Sequence, residues 1–391
     1  MGAVTVPEVD AKATEPVGPQ PASPFLSVDA NQVRLLRDGR EAYPTMLASI
    51  AAARREILFE MYWIQGDRAG LLFRDALLEK AREGVSVRVS YDAVGSIGGP
   101  SSMWDPVRAA GGEVFEFGSL SALLRRFRFK KLNMRDHRKI LVVDGQTAFT
   151  GGMNVGDQWL PRESGGADWR DDAIEVRGPA AGELRSLFFE TWSQAGRIAP
   201  LGVSRLARKP QGRVTTLTNR HGRARGIGPA YLRAIRRAEQ RIDITNPYFL
   251  PGPIFLSALQ SAQRRGVEVR ILVPGQSDVW VVSMAMSAVI GSLLESNARV
   301  FAFQGRVLHA KTATFDDKTA MIGTYNLDPR SRRYNRECCV AVQDRDVTLG
   351  VRASFERDLE SSEEVSLSAW KERPLSRRVF AWFAYPLRQF L

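Results

Sequence analysis

The sequence reads HRKILVVDGQTAFTGGMN at residues 137–154 and HAKTATFDDKTAMIGTYN at residues 309–326, which is one pattern written twice. In each copy a His-x-Lys triplet is followed after four residues by an aspartate and after six more by a glycine. An asparagine stands three positions beyond that glycine. The chain has 3 histidines, and two of them, His137 and His309, occupy the same place in the pattern. Such agreement indicates an internal duplication.

The segments around the two motifs also repeat in order. In the first half, the hydrophobic pattern predicts helices at 41–55 and 68–83 and strands at 56–64, 85–91 and 113–117. In the second half, it predicts helices at 228–239 and 253–265 and strands at 241–250, 267–273 and 299–303. Strands that alternate with helices of this length are typical of a sheet covered by helices. We therefore predict an α/β fold of two tandem α/β/α sandwich repeats, related by a pseudo-two-fold axis, with one shared active site.

The composition along the chain suggests where these repeats begin and end. Residues 1–30 are rich in Ala, Pro and Glu and predict a disordered leader. The first repeat is expected at 31–199 and the second at 228–373, joined by an Arg- and Gly-rich linker at 200–227. Residues 374–391 mix Arg with Phe, Trp and Tyr and predict an amphipathic C-terminal segment suited to a membrane interface.

Charge and cysteine content narrow the class of partner and the compartment. The net charge of +12 favours polyanions: nucleic acid, an anionic bilayer surface or phosphate-bearing substrates. The only cysteines, Cys338 and Cys339, are adjacent, so they form no disulfide framework and are expected in the core of a strand. They favour a reducing compartment, here the cytoplasm. The longest apolar run, residues 279–294, is shorter than the ~20 residues of a membrane span and predicts a buried helix.

The spacing within each motif has a chemical logic. Residues i and i+2 of a strand share a face, so His137 lies beside Lys139, and His309 beside Lys311. After a turn, small residues allow the chain to come back close to each histidine, and this places an asparagine amide beside it, Asn154 in one copy and Asn326 in the other. Together these side chains predict a cationic pocket, rich in hydrogen-bond donors, that suits the transition state of phosphodiester transfer.

These motifs resemble those of the phospholipase D superfamily, over about residues 32–370. Within it the chain is most similar to bacterial cardiolipin synthases, in particular the shorter members without N-terminal transmembrane helices. The phrases that carry this are FEMYW at 59–63, GGMNVGDQW at 151–159, WRD at 169–171, PYFLP at 247–251, GTYNLDPRS at 323–331 and NRE at 335–337. The sequence departs from the common pattern at Gly152 and Thr324, where serine is frequent. The departure predicts two unequal phosphate sub-sites.

The resemblance implies a mechanism and roles for further residues. One histidine attacks phosphorus to form a covalent phosphohistidine, and the other protonates the leaving alcohol and then deprotonates the incoming one. No metal or cofactor is implied. Asp171 follows His137, and Glu337 follows His309, at comparable distances along the chain. The two acids match those that orient an imidazole in the family, so each is expected to hold the histidine that precedes it. Asp144 and Asp316 belong to the motif and are expected to brace the local structure. We assign His137 as nucleophile and His309 as acid/base, although the near-symmetry leaves the reverse open.

The resemblance also implies the substrate class. The leading hypothesis is a transphosphatidylase that makes cardiolipin from phospholipid substrates at an anionic membrane surface, peripherally associated with the cell membrane. The first alternative is a phosphodiesterase that hydrolyses phospholipids or nucleic acid. Nucleic acid is disfavoured by the chain length and the quoted phrases. The second alternative, a non-catalytic membrane binder, is disfavoured because both His-x-Lys pairs are intact. The sequence leaves the oligomeric state open.

Overall fold

The computed structural model describes residues 23–99, 101–119, 134–194, 196–197, 199–200, 212–219, 226–276 and 280–373. Three predictions fall wholly or mostly outside the described residues. They concern the leader before residue 23, part of the linker, and the C-terminal segment 374–391.

The first repeat contains eight strands and four described helices. Its strands are β1 (Leu26–Val28), β2 (Asn31–Arg37), β3 (Glu56–Met61), β4 (Ser86–Asp92), β5 (Glu113–Phe117), β6 (Ile140–Val143), β7 (Thr147–Gly151) and β8 (Asp172–Arg177). Its helices are α1 (Asp38–Ala51), α2 (Arg68–Arg82), α3 (Asp105–Ala109) and α4 (Pro179–Gln194).

The second repeat follows the same plan. Its strands are β9 (Val214–Thr218), β10 (Arg241–Thr245), β11 (Glu268–Pro274), β12 (Arg299–Phe303), β13 (Thr312–Phe315), β14 (Thr319–Gly323), β15 (Cys338–Val342) and β16 (Ser362–Glu364). The described helices are α5 (Ile227–Arg237), α6 (Pro253–Arg264), α7 (Trp280–Glu295), α8 (Pro329–Arg333), α9 (Arg345–Leu359) and α10 (Leu367–Lys371).

The two sheets have equivalent strand orders, which confirms the predicted duplicated α/β fold. The first sheet runs β1-β2-β8-β7-β6-β3-β4-β5 and the second β16-β12-β11-β10-β13-β14-β15-β9. In each, three parallel strands (β3-β4-β5 and β10-β11-β12) adjoin an antiparallel meander that includes the strand after the His-x-Lys triplet. By position, β9 is the counterpart of β2, so the second repeat begins with β9.

The repeat boundaries differ from those expected. Strand β9 lies inside the range 200–227 assigned to a linker and pairs along its whole length with β15. All five of its residues are buried, because it is an integral strand of the second sheet. Strand β1 likewise lies inside the predicted leader and pairs with β2, and its Val28 is fully buried. Composition concealed both strands, since each is short and follows a polar or Pro-containing stretch.

The two repeats share one apolar core across their facing sheets. Leu58 and Ile140 of the first repeat belong to the same buried cluster as Ile322 and Val340 of the second. Side chains of α4 complete this cluster, while the outer faces of the sheets are covered by α1 and α2 in one repeat and α5 and α6 in the other. Burial of this kind contributes about 25 cal/mol per Å² of apolar surface, and it holds the two sheets against each other.

Two smaller predictions are confirmed. Cys338 and Cys339 are buried in β15, and the described part of the predicted apolar helix, from Trp280 onwards, lies in α7. Within the part of the chain that the structure describes, no helix combines the length and apolarity that crossing a bilayer requires.

Candidate active site

The two His-x-Lys triplets lie at the seam between the repeats, immediately before β6 and β13. The sequence predicted them inside strands, but regular ladder pairing begins only after each lysine. Instead, the His137 N–H donates to the Arg336 carbonyl at 3.0 Å and the His309 N–H to the Arg170 carbonyl at 2.7 Å. Single parallel bridges, Asp136 with Arg336 and Arg170 with Leu308, therefore join the repeats at the site.

Each histidine is hydrogen-bonded to a carboxylate of the other repeat. His137 Nδ1 lies 2.9 Å from Glu337 Oε2, and His309 Nδ1 lies 2.7 Å from Asp171 Oδ2. The sequence placed each acid with the histidine that precedes it along the chain, and this pairing is wrong. The bridge between Asp136 and Arg336 sets Glu337 opposite His137, and the second bridge does the same for Asp171 and His309. One repeat alone therefore cannot form the site.

The two His–carboxylate pairs differ electrostatically. Burial, reinforced by the nearby Lys139 and Lys311 cations, holds the pKa of His137 well below its usual range. Burial also raises the pKa of Glu337 to about 8. Burial acts in the same direction on Asp171, but His309, Lys311 and the hydrogen bonds outweigh it, so the pKa of Asp171 lies below its usual value.

The two lysines extend back over their own motifs. Lys139 Nζ donates to the His137 carbonyl at 2.9 Å, and Lys311 Nζ donates to the His309 carbonyl. Both side chains are almost fully buried, and burial lowers the pKa of Lys139 to about 7. An anionic phosphodiester in the pocket would restore the charged form, because an adjacent opposite charge favours ionisation.

The two acids are held by different neighbours. Three side chains donate to the Glu337 carboxylate: Thr324 Oγ1, Ser331 Oγ at 2.8 Å and Asn335 Nδ2 at 3.3 Å. Asp171 Oδ2 accepts from Trp159 Nε1 at 3.0 Å. Sequence reasoning missed Ser331 and Trp159, although both stand in the quoted phrases.

The unequal pair Gly152 and Thr324 follows from this difference. A Cβ at Gly152 would lie 2.8 Å from Asp171 Cγ and closer still to its Oδ1, so the Asp171 carboxylate occupies that space. At the equivalent position the Thr324 hydroxyl donates to Glu337. Glycine at 152 therefore leaves room for the Asp171 carboxylate, whereas threonine at 324 supplies a hydrogen-bond donor to the Glu337 carboxylate.

We expect Gly152→Ser to lower kcat by at least about tenfold, because the new Cβ displaces the carboxylate that holds His309, and small misplacements of catalytic groups carry large costs. Thr324→Ser should remain within about threefold of wild type, because serine keeps the hydroxyl that donates to Glu337 and only a methyl group is lost. Steady-state turnover of both variants checks this. Equal rates for the two would contradict the explanation.

Both motif asparagines, Asn154 and Asn326, are buried. Asn154 Oδ1 accepts a hydrogen bond from the backbone N–H of Trp63 at 3.1 Å, which fixes the orientation of the asparagine amide. Asn326 Oδ1 has no hydrogen-bond partner among the described residues. A contact of these two amides with the substrate stays a prediction of the motif.

The motif aspartates lie away from the pocket, at the opposite ends of β6 and β13. Asp144 and Asp316 both adopt left-handed backbone conformations, with φ of 53° and 50°. The Asp144 carboxylate accepts hydrogen bonds from the backbone N–H groups of Arg54, Arg55 and Glu56. The Asp316 carboxylate accepts them from the backbone N–H groups of Glu239, Gln240 and Arg241. They brace the starts of β3 and β10, so their place among the candidate catalytic residues is not supported by the geometry.

Aromatic rings wall the pocket. The Tyr62 ring stands edge-on to His137 with centroids 4.8 Å apart. Trp159 and Trp169 lie 5.5 and 5.8 Å from the His309 ring. These rings restrict water and fix the imidazole orientations. Among the described residues, no group of three or more His, Cys, Asp or Glu side chains is arranged to hold a metal ion.

Comparison with known proteins agrees with this duplicated architecture. The family model described as cardiolipin synthase, PLD-like domain matches the chain twice, over residues 46–164 and 231–359. The chain therefore belongs to this phospholipase D-like family.

The chain is similar to cardiolipin synthase A of Pseudomonas putida (strain W619), with 36% identity over 345 residues, 86% of this chain and 70% of that protein. It is 33% identical to the major cardiolipin synthase of Bacillus subtilis (strain 168) over 365 residues, 89% of this chain and 73% of that protein. The family match and these relatives confirm the predicted class, an enzyme of the phospholipid phosphatidyltransferase type.

A solved structure shares the fold at much lower identity. The crystal structure of phosphatidylserine synthase from Haemophilus influenzae Rd KW20 aligns with a TM-score of 0.70 at 14% identity. The alignment covers 94% of this chain and 97% of that one.

Proposed function

We propose that the protein is a cardiolipin synthase-type phosphatidyltransferase, which moves a phosphatidyl group from a phospholipid donor to a lipid alcohol such as phosphatidylglycerol. The observation that carries the proposal is the cross-paired site: two buried histidines, each held by a carboxylate of the other repeat and flanked by a buried lysine. A nucleophile and an acid/base on opposite sides of one phosphorus atom suit a two-step displacement through a phosphohistidine.

The electrostatic difference between the two pairs favours His137 as the nucleophile. Its pKa lies well below the usual range, so the ring is neutral and Nε2 keeps its lone pair at neutral pH. Positive charge develops on the ring as Nε2 attacks phosphorus. The hydrogen bond between Nδ1 and Glu337 Oε2, at 2.9 Å, would hold the tautomer in which Nε2 is free to attack.

The same difference favours His309 as the acid. Asp171, with its lowered pKa, stays ionised and stabilises an imidazolium at His309. As the P–O bond to the leaving alcohol breaks, His309 gives that oxygen its proton. In the second step His309 takes a proton from the acceptor hydroxyl, whose oxygen attacks phosphorus, and the P–N bond to His137 breaks.

The remaining site residues would stabilise the charge that develops on phosphate oxygens. Lys139 and Lys311 supply positive charge in a buried pocket, where electrostatic interactions are strong, and Asn154 and Asn326 supply amides. We further propose that the protein acts as a peripheral protein on the cytoplasmic face of the cell membrane. The net charge of +12 favours an anionic lipid surface there.

The purified full chain should convert phosphatidylglycerol in vesicles to cardiolipin and glycerol. His137→Ala should abolish this conversion, with a loss of at least about 1,000-fold, because no group remains to form the covalent intermediate. Products can be separated by thin-layer chromatography and identified by mass spectrometry. Phosphatidic acid without cardiolipin would indicate hydrolysis instead of transfer. Nicking of plasmid DNA with no lipid turnover would overturn the proposal.

A further inference from the structure

A cleft opens beside the second Gly-Thr-x-Asn segment, apart from the histidine pocket. Its volume is about 310 Å³, and it lies between the loop after β10, the start of α6 and α8. Apolar side chains form its walls, among them Phe255, Tyr325 and Leu327. Tyr325 and Leu327 flank Asn326 directly, so the backbone that carries this site residue also forms a wall of the cleft.

The cleft is firmly attached to the catalytic segment. The Leu250 N–H donates to the Leu327 carbonyl at 2.9 Å, and the Leu327 N–H donates to Asn246 Oδ1 at 3.2 Å. Asn246 Nδ2 in turn donates to the Tyr325 carbonyl at 3.2 Å. A molecule held in the cleft would therefore have a fixed position relative to Asn326.

Two arginines of α8, Arg332 and Arg333, stand at the edge of the cleft. Both are exposed, and neither guanidinium forms an ion pair or a hydrogen bond with a described residue. Asp328 also lines the cleft, but it is buried and its Oδ1 accepts the Ser331 N–H at 2.6 Å. The positive charge at the edge is thus not neutralised by an ion pair with a described residue.

The outer surface continues the apolar character of the walls. Ile254, in the first turn of α6, is 50% exposed and is one of the few large hydrophobic side chains left in water among the described residues. It follows Pro253, which itself lines the cleft. Apolar walls, an uncompensated cationic edge and an adjoining exposed isoleucine together match an amphiphile with an anionic headgroup.

We propose that this cleft is a binding subsite for an anionic phospholipid, separate from the reacting phosphodiester, with the headgroup phosphate held by Arg332 and Arg333. The inference rests on the proposed function, because the lipid held there would be the acceptor whose hydroxyl reaches the phosphohistidine. Guanidinium groups bind phosphate through paired charge-assisted hydrogen bonds. The volume is near the lower end for small-molecule sites, about 300 Å³, so it accommodates a headgroup and adjoining methylenes while the chain ends remain in the bilayer.

The test compares two variants that remove the same charge. Arg332→Ala/Arg333→Ala alters the cleft edge, whereas Arg236→Ala/Arg237→Ala removes two exposed arginines from the last turn of α5. Dihexanoylphosphatidylglycerol below its micellar concentration serves as acceptor and as titrant in calorimetry, so no bilayer is present. We expect at least about tenfold weaker binding and a correspondingly higher KM in the first variant only. Turnover of the soluble diester bis(4-nitrophenyl) phosphate should be unchanged in both.

A second variant fills the cleft without straining the backbone. Gly252 has an ordinary negative φ, and a Cβ there would meet only Arg332 Nη1, at 3.4 Å. Gly252→Trp should therefore fold and should also weaken lipid binding by at least about tenfold.

The outcomes separate the inference from the proposed function. Equal behaviour of the two double-arginine variants with monomeric lipid would overturn the subsite, even with cardiolipin synthesis intact. An effect confined to vesicles would overturn it too, because the arginines would then contact the bilayer surface only. A third outcome is that the wild-type protein binds the lipid through Arg332 and Arg333 but transfers no phosphatidyl group. That result would contradict the proposed function and support the binding site.

Discussion

In the His309→Ala variant, a phosphatidyl adduct should accumulate on His137 when the donor carries a good leaving group. With the phosphatidyl ester of 4-nitrophenol, departure of the alcohol needs no proton, so the first step survives the loss of the acid. The second step still requires a base to deprotonate the acceptor hydroxyl, and none remains. We therefore expect a burst of about one nitrophenolate per protein, followed by turnover at least about 1,000-fold slower than wild type.

The asymmetry of the two carboxylates predicts which variant shows the burst. His137→Ala lacks the neutral imidazole held by Glu337 and should release no burst with the same donor. His221→Ala is the matched control, because it removes the one histidine outside the motifs and should turn over normally. Rapid mixing measures the burst, and peptide mapping at alkaline pH, where phosphoramidates persist, locates the adduct. An adduct on His309 in the His137→Ala variant would reverse the assignment.

Most of the fold could be predicted from the sequence, because the duplication shows the pattern of each element twice. Predicted strands at 113–117 and 299–303 coincide with β5 and β12. Strand β9 escaped because its neighbours are rich in Arg and Gly, although VTTLT is a β-branched run of the kind that strands favour. Composition averaged over a long segment concealed a short local signal.

The site was predictable in its members and not in its pairing. The motif spacing identified His137 and His309, but the order of residues along a chain says nothing about which repeat supplies a partner in space. Single bridges between the repeats, at Arg336 and Arg170, decide that each carboxylate crosses over. The acid behind each histidine therefore depends on the tertiary arrangement of two similar units.

Substitution of Arg170 should cause the largest loss of stability among the predictions made for this chain. The side chain is 1% exposed and donates to three carboxylates: Asp358 Oδ1 at 2.8 Å, Asp172 Oδ1 at 2.9 Å and Asp38 Oδ1 at 3.5 Å. Its Nη2 also donates to Ser354 Oγ at 2.8 Å. Because Asp172 belongs to the first sheet and Asp358 to α9 of the second repeat, this one guanidinium connects the repeats next to His309.

Arg170→Met keeps the volume of the side chain but removes the guanidinium that pairs with Asp172 and leaves Asp358 paired with Arg37 alone. Breaking a buried pair in this way costs about 3–5 kcal/mol of the free energy of unfolding. The matched control is Arg299→Met, which removes an exposed ion pair with Glu364 at 2.7 Å and should cost at most about 1 kcal/mol. Urea denaturation of the two variants and the wild type measures the difference, and equal losses would contradict the interpretation.

The effect of pH on this loss has a definite sign. Burial favours a higher pKa for Asp358, but Arg170 and Arg37 outweigh it and hold the pKa below its usual value. A carboxyl with a lowered folded-state pKa contributes stability that is present above its unfolded pKa and is lost as pH falls through the folded one. The wild type therefore loses this contribution in acid, whereas Arg170→Met has only the part that Arg37 supplies. The gap between the two free energies of unfolding should accordingly be widest near neutral pH and should narrow as pH falls through the folded-state pKa of Asp358, which lies below the ordinary aspartate value of about 4. A gap that stayed constant over this range would mean that Arg170 stabilises the protein by packing alone and not by its charge.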